Sequence, residues 1–259
     1  MPAPSTDLKV MSFNIRYGTA DDGENSWPNR REAVLEFLAT SGYDIVCLQE
    51  VLYDQLLEIR QEAPFLHWVG VGRDDGLLDG EFSAILFDSR VVQSIASETF
   101  WLSDTPEVVA STSWGNTLTR ICTHGSFELR GRPFEVFNLH VDHESAISRL
   151  KSVELLLERI RSRGEHIPTI VTGDFNEGES GPAIEAMVRG GFLDSYRTID
   201  PDGPEQATYH NWVGVTLGDR IDYIFVDGSI SIVSATIVRE NPYRQFLSDH
   251  YPVAAFLEL

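Results

Sequence analysis

Short runs rich in β-branched and aromatic residues recur along the chain between turn-forming residues, and such runs predict strands. The runs are residues 8–15, 44–48, 67–71, 83–87, 91–100, 117–129, 134–141, 167–172, 220–226, 230–238 and 251–257. Longer segments repeat apolar residues at steps of three and four, which predicts helices at residues 29–41, 52–62, 145–163 and 180–189. Strands and helices are therefore both expected in the fold.

Two segments carry additional local signals. The third predicted helix has one apolar stripe, made of Ile147, Leu150, Val153, Leu157 and Ile160. Ser145 stands in front of this stripe and is the expected N-cap. Residues 127–137 predict a β-hairpin that turns at residues 130–133 around Gly131, because glycine adopts the positive φ that tight hairpins need.

The order of the elements indicates the fold class. Strands alternate with helices at the start, strands follow one another through short turns in residues 91–141, and a helix–strand–helix segment precedes the closing strands. This order predicts an α/β sandwich of two mixed, mostly antiparallel sheets packed face to face, with helices outside. Because no repeat or linker interrupts the chain, we expect one domain over residues 1–259.

The chain is strongly acidic, with 40 aspartate and glutamate residues against 20 lysine and arginine residues and a formal net charge of −20. This charge repels nucleic acid at long range, so tight non-specific binding to DNA or RNA is disfavoured. A local group of cations or a metal ion can still attract a single phosphate. The composition therefore disfavours a long polyanion as the ligand.

Other features of the composition bear on location. No apolar run reaches the ~20 residues that span a bilayer, and the first residues lack the basic and apolar segments of a signal peptide, so no membrane anchor is expected. The cysteines, Cys47 and Cys122, lie in strand-like runs and are predicted to be buried free thiols. These features favour a cytoplasmic location, and no protein partner is evident.

Polar side chains follow apolar runs at several predicted strand ends. They are Asn14, Gln49, Glu50, His140, Asp174, Asn176, Asp222, Asp249 and His250. A carboxylate, amide or imidazole in such a place loses hydration unless it is paired or bound to a cation. So many of them, rich in aspartate, glutamate, asparagine and histidine, indicate one shared site.

The chemistry of that site is suggested by its oxygen-rich side chains. Glu50, Asp174 and either Asp222 or Asp249 are hard anionic ligands, which suit Mg²⁺ or Mn²⁺, with Ca²⁺ as a further candidate. Asp174 and Asn176 are two positions apart and are expected to face the same side. A hard cation and a carboxylate base are components of phosphoester hydrolysis.

Two histidines complete the set of groups expected to act on a phosphate. His140 and His250 could donate hydrogen bonds to phosphate oxygens when they are charged. Because a neighbouring carboxylate raises the pKa of an imidazole, we expect both histidines to be charged in the site.

Three motifs identify a family. Leu48-Gln-Glu50-Val, Gly173-Asp-Phe-Asn176 and Ser248-Asp-His250-Tyr-Pro-Val occur in this order. At these residues the chain resembles the endonuclease/exonuclease/phosphatase (DNase I-like) superfamily of metal-dependent phosphoesterases, and the resemblance extends from Asn14 to His250. It implies a four-layer α/β-sandwich. It also implies a divalent-metal-dependent hydrolase that cleaves a phosphodiester or phosphomonoester by in-line attack of a water molecule.

The resemblance implies a role for each motif residue. Glu50 would be the principal metal ligand, with Asn14 beside it, and Asp249 would be a metal or structural carboxylate. Asp174 would position or deprotonate the attacking water. Asn176 would hold the phosphate and that water.

Further matches concern the groups around the phosphate. The resemblance implies that His250 contacts the scissile phosphate and is oriented by Asp222. His140 stands where DNase I-like members have a second histidine, and Glu81 matches the carboxylate partner of that histidine. Arg120 matches the phosphate-contacting arginine of the family.

Two other histidines are candidates for substrate binding. His143 ends the pattern Asn138-X-His-X-Asp-His143, which recurs in bacterial members that the chain resembles, and a surface position is the alternative. His210 lies in a predicted loop expected near the site. Arg73, which precedes Asp74 and Asp75, is predicted to lie in a solvated turn.

Several functions remain open from the sequence. A phosphoesterase for a small substrate is slightly preferred, and a DNA or RNA endo- or exonuclease is the alternative that the net charge disfavours. Lipid hydrolysis is less favoured because no hydrophobic hairpin is evident. A non-catalytic binding or scaffold protein on the same fold is a further alternative. It is opposed by the competent residue at every motif position.

Overall fold

The computed structural model of the chain describes residues 7–164, 166–240, 242–243 and 245–259. Its strands are β1 Asp7–Asn14, β2 Ile45–Gln49, β3 Leu66–Val69, β4 Ile85–Asp88, β5 Val92–Trp101, β6 Ile121–Leu129, β7 Arg132–His140, β8 Thr169–Asp174, β9 Phe192–Asp194, β10 Asp222–Asp227, β11 Ser231–Ile237 and β12 Val253–Glu258. Its α-helices are α1 Trp27–Thr40, α2 Tyr53–Glu62, α3 Ala146–Ser162, α4 Pro182–Arg189 and α5 Ser195–Ile199. A 3-10 helix, Gly23–Asn25, precedes α1. Within these described ranges, no helix combines the length and apolar character that a membrane crossing requires.

The strands form two sheets with related topologies. Over the described residues, each sheet has six strands, in the orders β11-β12-β1-β2-β4-β3 and β5-β6-β7-β8-β10-β9. Strands β1 and β2 pair in parallel in the first sheet, and β7 and β8 do so in the second. Their other neighbours are antiparallel. The prediction of two mixed, mostly antiparallel sheets is confirmed.

Three apolar layers hold the sandwich together. Residues such as Val10, Val136 and Ile224 fill the central layer between the two sheets. On the outer face of the first sheet, helices α1 and α2 bury residues such as Val34. On the outer face of the second sheet, α3 and α4 bury residues such as Val153. Helix, sheet, sheet and helix give the predicted four-layer α/β-sandwich.

The local signals in the sequence explain several boundaries. The Ser145 hydroxyl accepts a hydrogen bond from the Ser148 main-chain N–H, which confirms Ser145 as the N-cap of α3. Arg130 and Gly131 join β6 to β7 with φ of 52° and 84°, so the predicted hairpin forms. In contrast, Ile147 of the predicted stripe is 67% exposed, because the buried face of α3 begins with Ser148 and Ser152 and not with Ile147.

Some predicted boundaries change. The predicted strand of residues 117–129 starts later, at Ile121, so Arg120 stands in the preceding loop. The short strand β9 and the short helix α5 were not predicted, because elements of this length carry too little periodicity to be recognised. Cys47 and Cys122 are free and buried, as predicted, and burial raises the pKa of Cys47 to about 12.

Alternation along the strands places the polar residues between the sheets. On β1, Val10 belongs to the central layer, and Asn14 falls on the same face because side chains alternate along a strand. The same alternation puts His140 of β7 and Asp174 of β8 on the face of Val136 and Ile170. The central layer is therefore apolar over most of its depth and polar at the carboxyl ends of the parallel strands. Ligands of α/β sheets commonly bind at such strand ends.

A buried hydrogen-bond network marks the change from apolar to polar. Asn138 Nδ2 donates to the carbonyl oxygens of Leu48 and Ala84 at 2.8 and 2.9 Å, and Asn138 Oδ1 accepts from Gln49 Nε2 at 2.7 Å. These bonds join the two sheets directly below the polar strand ends. Asn138 and Gln49 are both fully buried, so each bond replaces hydration that these groups have lost.

We predict that Asn138→Ala lowers the free energy of unfolding by about 2–4 kcal/mol, because it leaves buried carbonyl and amide groups without partners. Urea denaturation measures this loss. Gln93→Ala, which removes an exposed amide from β5, is the matched control and is expected to change stability by no more than about 0.5 kcal/mol. A loss for Asn138→Ala no larger than that of the control contradicts the role given to the network.

Candidate active site

A cleft of about 350 Å³ opens at the carboxyl ends of the parallel strands. Its lining includes most of the predicted site residues, namely Glu50, Glu81, Arg120, His140, His143, Asp174, Asn176, Asp249 and His250. Asn14 and Asp222 are fully buried and contact cleft residues from below. The structure thus brings together residues that are far apart in the sequence.

Asn14 joins two of the carboxylates. Its Nδ2 donates to Glu50 Oε1 at 3.0 Å and to Asp174 Oδ2 at 3.1 Å. Its Oδ1 accepts from the Arg16 main-chain N–H at 3.0 Å. In this arrangement, Asn14 acts as a donor between two anions, and its own oxygen is already hydrogen-bonded.

Left-handed backbone conformations aim three side chains at the cleft. Arg16, Glu50 and Asn176 have φ of 61°, 60° and 47°, which side-chain-bearing residues rarely adopt. Each comes immediately after, or two residues after, the end of a parallel strand. The surrounding contacts stabilise these unfavourable backbone conformations. For example, the Tyr17 main-chain N–H donates to Glu50 Oε2 at 3.2 Å.

Asp174 lies at the centre of the site and is almost completely buried. Its Oδ1 accepts from the Asn176 main-chain N–H at 2.9 Å, while its Oδ2 lies 3.5 Å from His140 Nε2 and 3.9 Å from His250 Nε2. Burial, reinforced by the charge of Asp222, raises the pKa of Asp174 to about 7. Gly173 just before it is required, because a Cβ there would lie 2.1 Å from the Leu139 carbonyl oxygen.

His250 and Asp222 form a buried ion pair. His250 Nδ1 lies 2.9 Å from Asp222 Oδ2, so His250 donates from this nitrogen and its Nε2 faces Asp174. Burial alone would lower the pKa of His250, but the charge and hydrogen bond of Asp222 raise it to about 10. His250 is therefore charged at neutral pH. This agrees with the expectation for His250.

His140 differs from the expectation. Burial lowers the pKa of His140 well below its usual value, and the charges of Arg120 and Arg73 lower it further. His140 Nε2 lies 3.0 Å from Asn176 Nδ2, which can donate to it when the imidazole is neutral. The prediction that an adjacent carboxylate keeps this histidine charged is corrected, because burial and the nearby arginines both lower its pKa.

Glu81 also pairs differently from the expectation. Its Oε2 accepts from Arg73 Nη1 at 2.6 Å, and no described contact joins Glu81 to His140, whose implied partner it was. Burial raises the pKa of Glu81 to about 7, although Arg73 opposes this shift. Arg73 itself is only 12% exposed at its side chain, so the prediction of a solvated turn at this arginine is wrong.

Arg120 and His143 form the adjoining wall of the cleft. Arg120 is 3% exposed, and its Nη2 lies 2.9 Å from His143 Nδ1. Its Nε lies 3.8 Å from the buried carboxylate of Asp142, which also accepts from the main-chain N–H groups of Glu144 and Ser145. Both predicted substrate-binding residues on this side therefore reach the cleft.

Asp249 and Arg16 occupy the opposite side. Asp249 Oδ2 lies 3.8 Å from Arg16 Nε, and Glu50 Oε2 lies 3.9 Å from Arg16 Nη1. Arg16 makes its close bidentate pair with Asp22, at 3.0 Å for both bonds. Arg16 therefore neutralises Glu50 and Asp249 only from a distance.

The structure does not bring His210 into the cleft. His210 is 1% exposed and packs between Phe246 and Tyr251, with ring centroids 4.6 and 4.2 Å away. Burial lowers its pKa to about 4, so it is a neutral core imidazole. The neighbouring Tyr209 lines the cleft instead, and its ring centroid lies 5.0 Å from that of His250.

Some residues of the site were not recognised in the sequence. Arg16 and Tyr17 line the cleft. The available signal was the position of Arg16, a polar residue two places after Asn14 at the end of β1. Arg30 is almost fully buried and donates to the carbonyl oxygens of Ile15, Arg16 and Leu247. It fixes the end of β1 next to the segment that carries Asp249. No local pattern distinguished Arg30 from other arginines on helices.

Two groups of side chains are relevant to a divalent cation. Ligand atoms of Asp174, Asp222 and His250 lie within 4.8 Å of one another, but the charged His250 already serves as the cation of this group. Glu50, Asp249 and Asp174 also line the cleft with carboxylate oxygens, and the cations nearest to Glu50 and Asp249 are the Arg16 nitrogens at 3.8 to 3.9 Å. Carboxylate oxygens are the donor type that a hard cation such as Mg²⁺ or Mn²⁺ prefers.

Comparison with known proteins agrees with this geometry. The sequence profile of the Endonuclease/Exonuclease/phosphatase family matches residues 11–250. The chain belongs to this family and is a hydrolase of phosphoester bonds. The matched span includes the residues that the three motifs contribute to the cleft, namely Glu50, Asp174, Asn176, Asp249 and His250.

Individual relatives extend the comparison. A crystal structure of an endonuclease/exonuclease/phosphatase from Bacteroides vulgatus has a TM-score of 0.91 and 33% identity, covering 98% of this chain and 99% of its own. A mannosyl-6-phosphatase from Bacteroides thetaiotaomicron has a TM-score of 0.89 and 33% identity, covering 97% and 100%. By sequence, Protein angel of Drosophila melanogaster is 27% identical over 98% of this chain and 81% of its own length. The DNase I-like sandwich is thus shared along the whole chain.

The shifted pKa of Asp174 predicts a pH dependence of stability. Because its pKa rises from 3.8 to about 7 on folding, the folded state holds this proton more tightly than the unfolded state. Its contribution to stability is therefore lost as pH rises from about 4 to about 7. Asp174→Asn removes the titrating group, so we predict that the variant becomes more stable relative to wild type as pH rises through this window.

Urea denaturation in the presence of EDTA, at several pH values in this window, measures the difference in unfolding free energy between the two proteins. Asp202→Asn, at an exposed position, is the control and is expected to show no such trend. A difference for Asp174→Asn that stays constant or falls with rising pH contradicts the assignment of a raised pKa to this buried carboxylate.

Proposed function

We propose that the chain is a divalent-metal-dependent hydrolase of a small phosphoester, with Mg²⁺ or Mn²⁺ as the ion and Ca²⁺ as a further candidate. The observation that carries this proposal is the meeting of Glu50, Asp174 and His250 in one cleft, linked by Asn14 and Asp222. These groups supply an oxygen ligand, a carboxylate base and a cationic donor, which phosphoester hydrolysis requires.

Glu50 is the proposed principal ligand of the ion, with Asp249 beside it. A bound divalent ion there would supply positive charge that stabilises the negative charge developing on the phosphate oxygens. Asn14 holds Glu50 and Asp174 in a fixed relation through its amide hydrogens. Asn14 stands beside Glu50 in the proposed ion site, and its oxygen accepts one hydrogen bond, from the Arg16 N–H, which leaves a second lone pair for the ion.

Asp174 is the proposed general base. It is buried at the centre of the cleft, and its raised pKa lies near neutral pH, where a base can accept a proton from water most effectively. The Asn176 N–H fixes one oxygen of Asp174, and the Asn176 side chain extends toward His140. Asn176 and neutral His140 are proposed to hold the water and one phosphate oxygen.

His250 is the proposed cationic donor to the phosphate. Asp222 fixes Nδ1 of the imidazole, so the proton on Nε2 is directed toward the cleft side of Asp174. A charge-assisted hydrogen bond from this proton is stronger than one from a neutral imidazole. Asp222 thus acts through His250 as a positioning residue.

A small substrate is proposed over a nucleic acid for two reasons. The net charge of −20 opposes the approach of a polyanion. The mannosyl-6-phosphatase that matches 97% of this chain at 33% identity is named for a sugar phosphate substrate, which supports a substrate of similar size here. A nuclease activity is the alternative outcome of the experiments below.

We predict that Glu50→Gln, Asp174→Asn and His250→Gln each lower kcat/KM by about 100- to 10,000-fold, because each removes a base, a ligand or a charged donor from the reacting centre. Steady-state hydrolysis of p-nitrophenyl phosphate and bis(p-nitrophenyl) phosphate measures the loss, and circular dichroism checks that the variants are folded. Asp202→Asn and His166→Gln, at exposed positions, are the controls. Near-normal turnover in two of the three site variants refutes the assignment.

Metal removal gives an independent prediction. Dialysis against EDTA is expected to abolish hydrolysis, and Mg²⁺ or Mn²⁺ is expected to restore it. The same ions should raise the Tm of wild type, because a ligand that binds only the folded state stabilises it, and this rise should be largely lost in Glu50→Gln.

The substrates for this experiment are mannose 6-phosphate, the two p-nitrophenyl esters and plasmid DNA. Plasmid nicking at low salt without turnover of the small esters supports the nuclease. No detectable hydrolysis of any of these substrates, with or without metal, supports a non-catalytic binding protein.

A further inference from the structure

Arg16 places a positive charge beside two carboxylates of the cleft without bonding to either of them. Its Nη1 lies 3.9 Å from Glu50 Oε2, and its Nε lies 3.8 Å from Asp249 Oδ2. A charge-assisted N–H···O bond is about 2.8 Å long, so the guanidinium stands about 1 Å short of a direct bond to either carboxylate. Glu50 and Asp249 are also the carboxylates proposed for the divalent ion, so Arg16 shares them with that ion.

Asp22 holds the guanidinium in this position. Arg16 Nε donates to Asp22 Oδ2 and Arg16 Nη2 donates to Asp22 Oδ1, both at 3.0 Å. Two parallel bonds of this kind fix the orientation of a guanidinium as well as its distance. Asp22 is itself fixed, because its carbonyl oxygen accepts from the Asn25 N–H at 3.0 Å and its own N–H donates to Ser26 Oγ at 3.2 Å. The pair therefore keeps the guanidinium away from the carboxylates of the ion site.

The main chain of Arg16 is held by contacts that do not involve its side chain. Its N–H donates to Asn14 Oδ1 at 3.0 Å, and its carbonyl oxygen accepts from Arg30 Nη2 at 2.9 Å and from Gln55 Nε2 at 3.2 Å. These bonds stabilise the left-handed conformation of Arg16, with φ of 61°. A substitution that changes only the side chain therefore leaves the end of β1 supported as before.

The guanidinium and a divalent ion compete for the same negative charge. The hydrogen bonds to Asp22 raise the pKa of Arg16 more than burial lowers it, and the charges of Asp249 and Glu50 raise it further. Arg16 is therefore a permanent cation that interacts favourably with both carboxylates. A fixed positive charge repels an ion on the same oxygens, and a half-buried site screens this repulsion less than bulk water does. Moving the guanidinium closer should weaken ion binding, and removing it should strengthen ion binding.

We propose that Arg16 is a resident counter-cation of the ion site and that Asp22 sets the affinity of this site for Mg²⁺ or Mn²⁺ by holding Arg16 back from the two carboxylates. The inference rests on the proposed function. Neither Arg16 nor Asp22 is a ligand of the ion in this arrangement. Arg16 partly neutralises the two carboxylates before the ion binds, and its bonds to Asp22 limit how strongly it opposes the ion.

The test is the dissociation constant of Mn²⁺, measured by isothermal titration calorimetry without substrate on protein treated with EDTA and then desalted. Arg16→Met removes the guanidinium charge, so we expect the dissociation constant to fall by about 10-fold. Asp22→Asn keeps the shape but removes the charge that retains the guanidinium, so we expect the constant to rise by about 10-fold. Both substitutions break the same ion pair, so a merely structural role would shift the constant in one direction in both variants.

The double variant Arg16→Met/Asp22→Asn shows whether Asp22 acts through Arg16. If it does, Asp22→Asn changes the dissociation constant by less than about 2-fold once the guanidinium is absent. If Asp22 attracts the ion only by its own charge, its effect is the same in both backgrounds. The Tm gives a second readout, because the rise in Tm that Mn²⁺ produces should be larger in Arg16→Met than in wild type and smaller in Asp22→Asn.

Arg189→Met and Glu185→Gln are the matched controls, because these residues form an exposed pair at 3.0 Å on α4, outside the cleft. Their dissociation constants should stay within about 2-fold of wild type, since distant exposed charges are screened. Weaker binding in Arg16→Met, an unchanged constant in either single variant, or an undiminished effect of Asp22→Asn in the double variant overturns the proposal while the proposed function stands. A wild-type protein that shows neither Mn²⁺ binding nor a rise in Tm with Mn²⁺ overturns the proposed function and this inference together.

Discussion

The need to neutralise several carboxylates in a small buried space governs this site. Glu50, Asp174, Asp222 and Asp249 surround one cleft and have little access to water. The positive charge of His250 compensates the negative charge of Asp222 and part of that of Asp174. Arg16 approaches Glu50 and Asp249 only to 3.8 to 3.9 Å. Buried charge without a partner is costly, so the oxygen-lined half of the cleft favours a divalent cation. The raised pKa of Asp174 results first from its burial and then from the negative charge of Asp222.

The sandwich provides the framework for this arrangement. Two parallel strand pairs, one in each sheet, end at the same edge, and strand alternation directs Asn14, His140 and Asp174 into the space between the sheets. Below them, Asn138 and Gln49 connect the sheets through buried hydrogen bonds. The cleft therefore has an oxygen-rich half next to β1 and β2 and an arginine-rich half next to the loops before β4 and β6. This polarity suits a phosphate that lies between a metal ion and fixed cations.

Much of this could be predicted from the sequence, because strand periodicity and strand-end polar residues are local signals. The layers, the hairpin at Gly131 and the cap at Ser145 follow from such signals. The lowered pKa of His140 does not follow from such signals, since it depends first on burial in the folded chain and then on Arg120 and Arg73, which reach it from other parts of the chain. Arg73 itself stands among aspartates that are typical of an exposed turn, and only Glu81 and Trp101 reveal its burial.

The central claim is that side chains distant in sequence meet around one divalent ion. A crystal grown or soaked with Mn²⁺, with diffraction recorded to exploit the anomalous scattering of manganese, tests it most directly. The account predicts a strong anomalous peak in the cleft, bonded to a Glu50 carboxylate oxygen and absent in Glu50→Gln. No peak at saturating Mn²⁺, or one remote from Glu50 and Asp174, contradicts it.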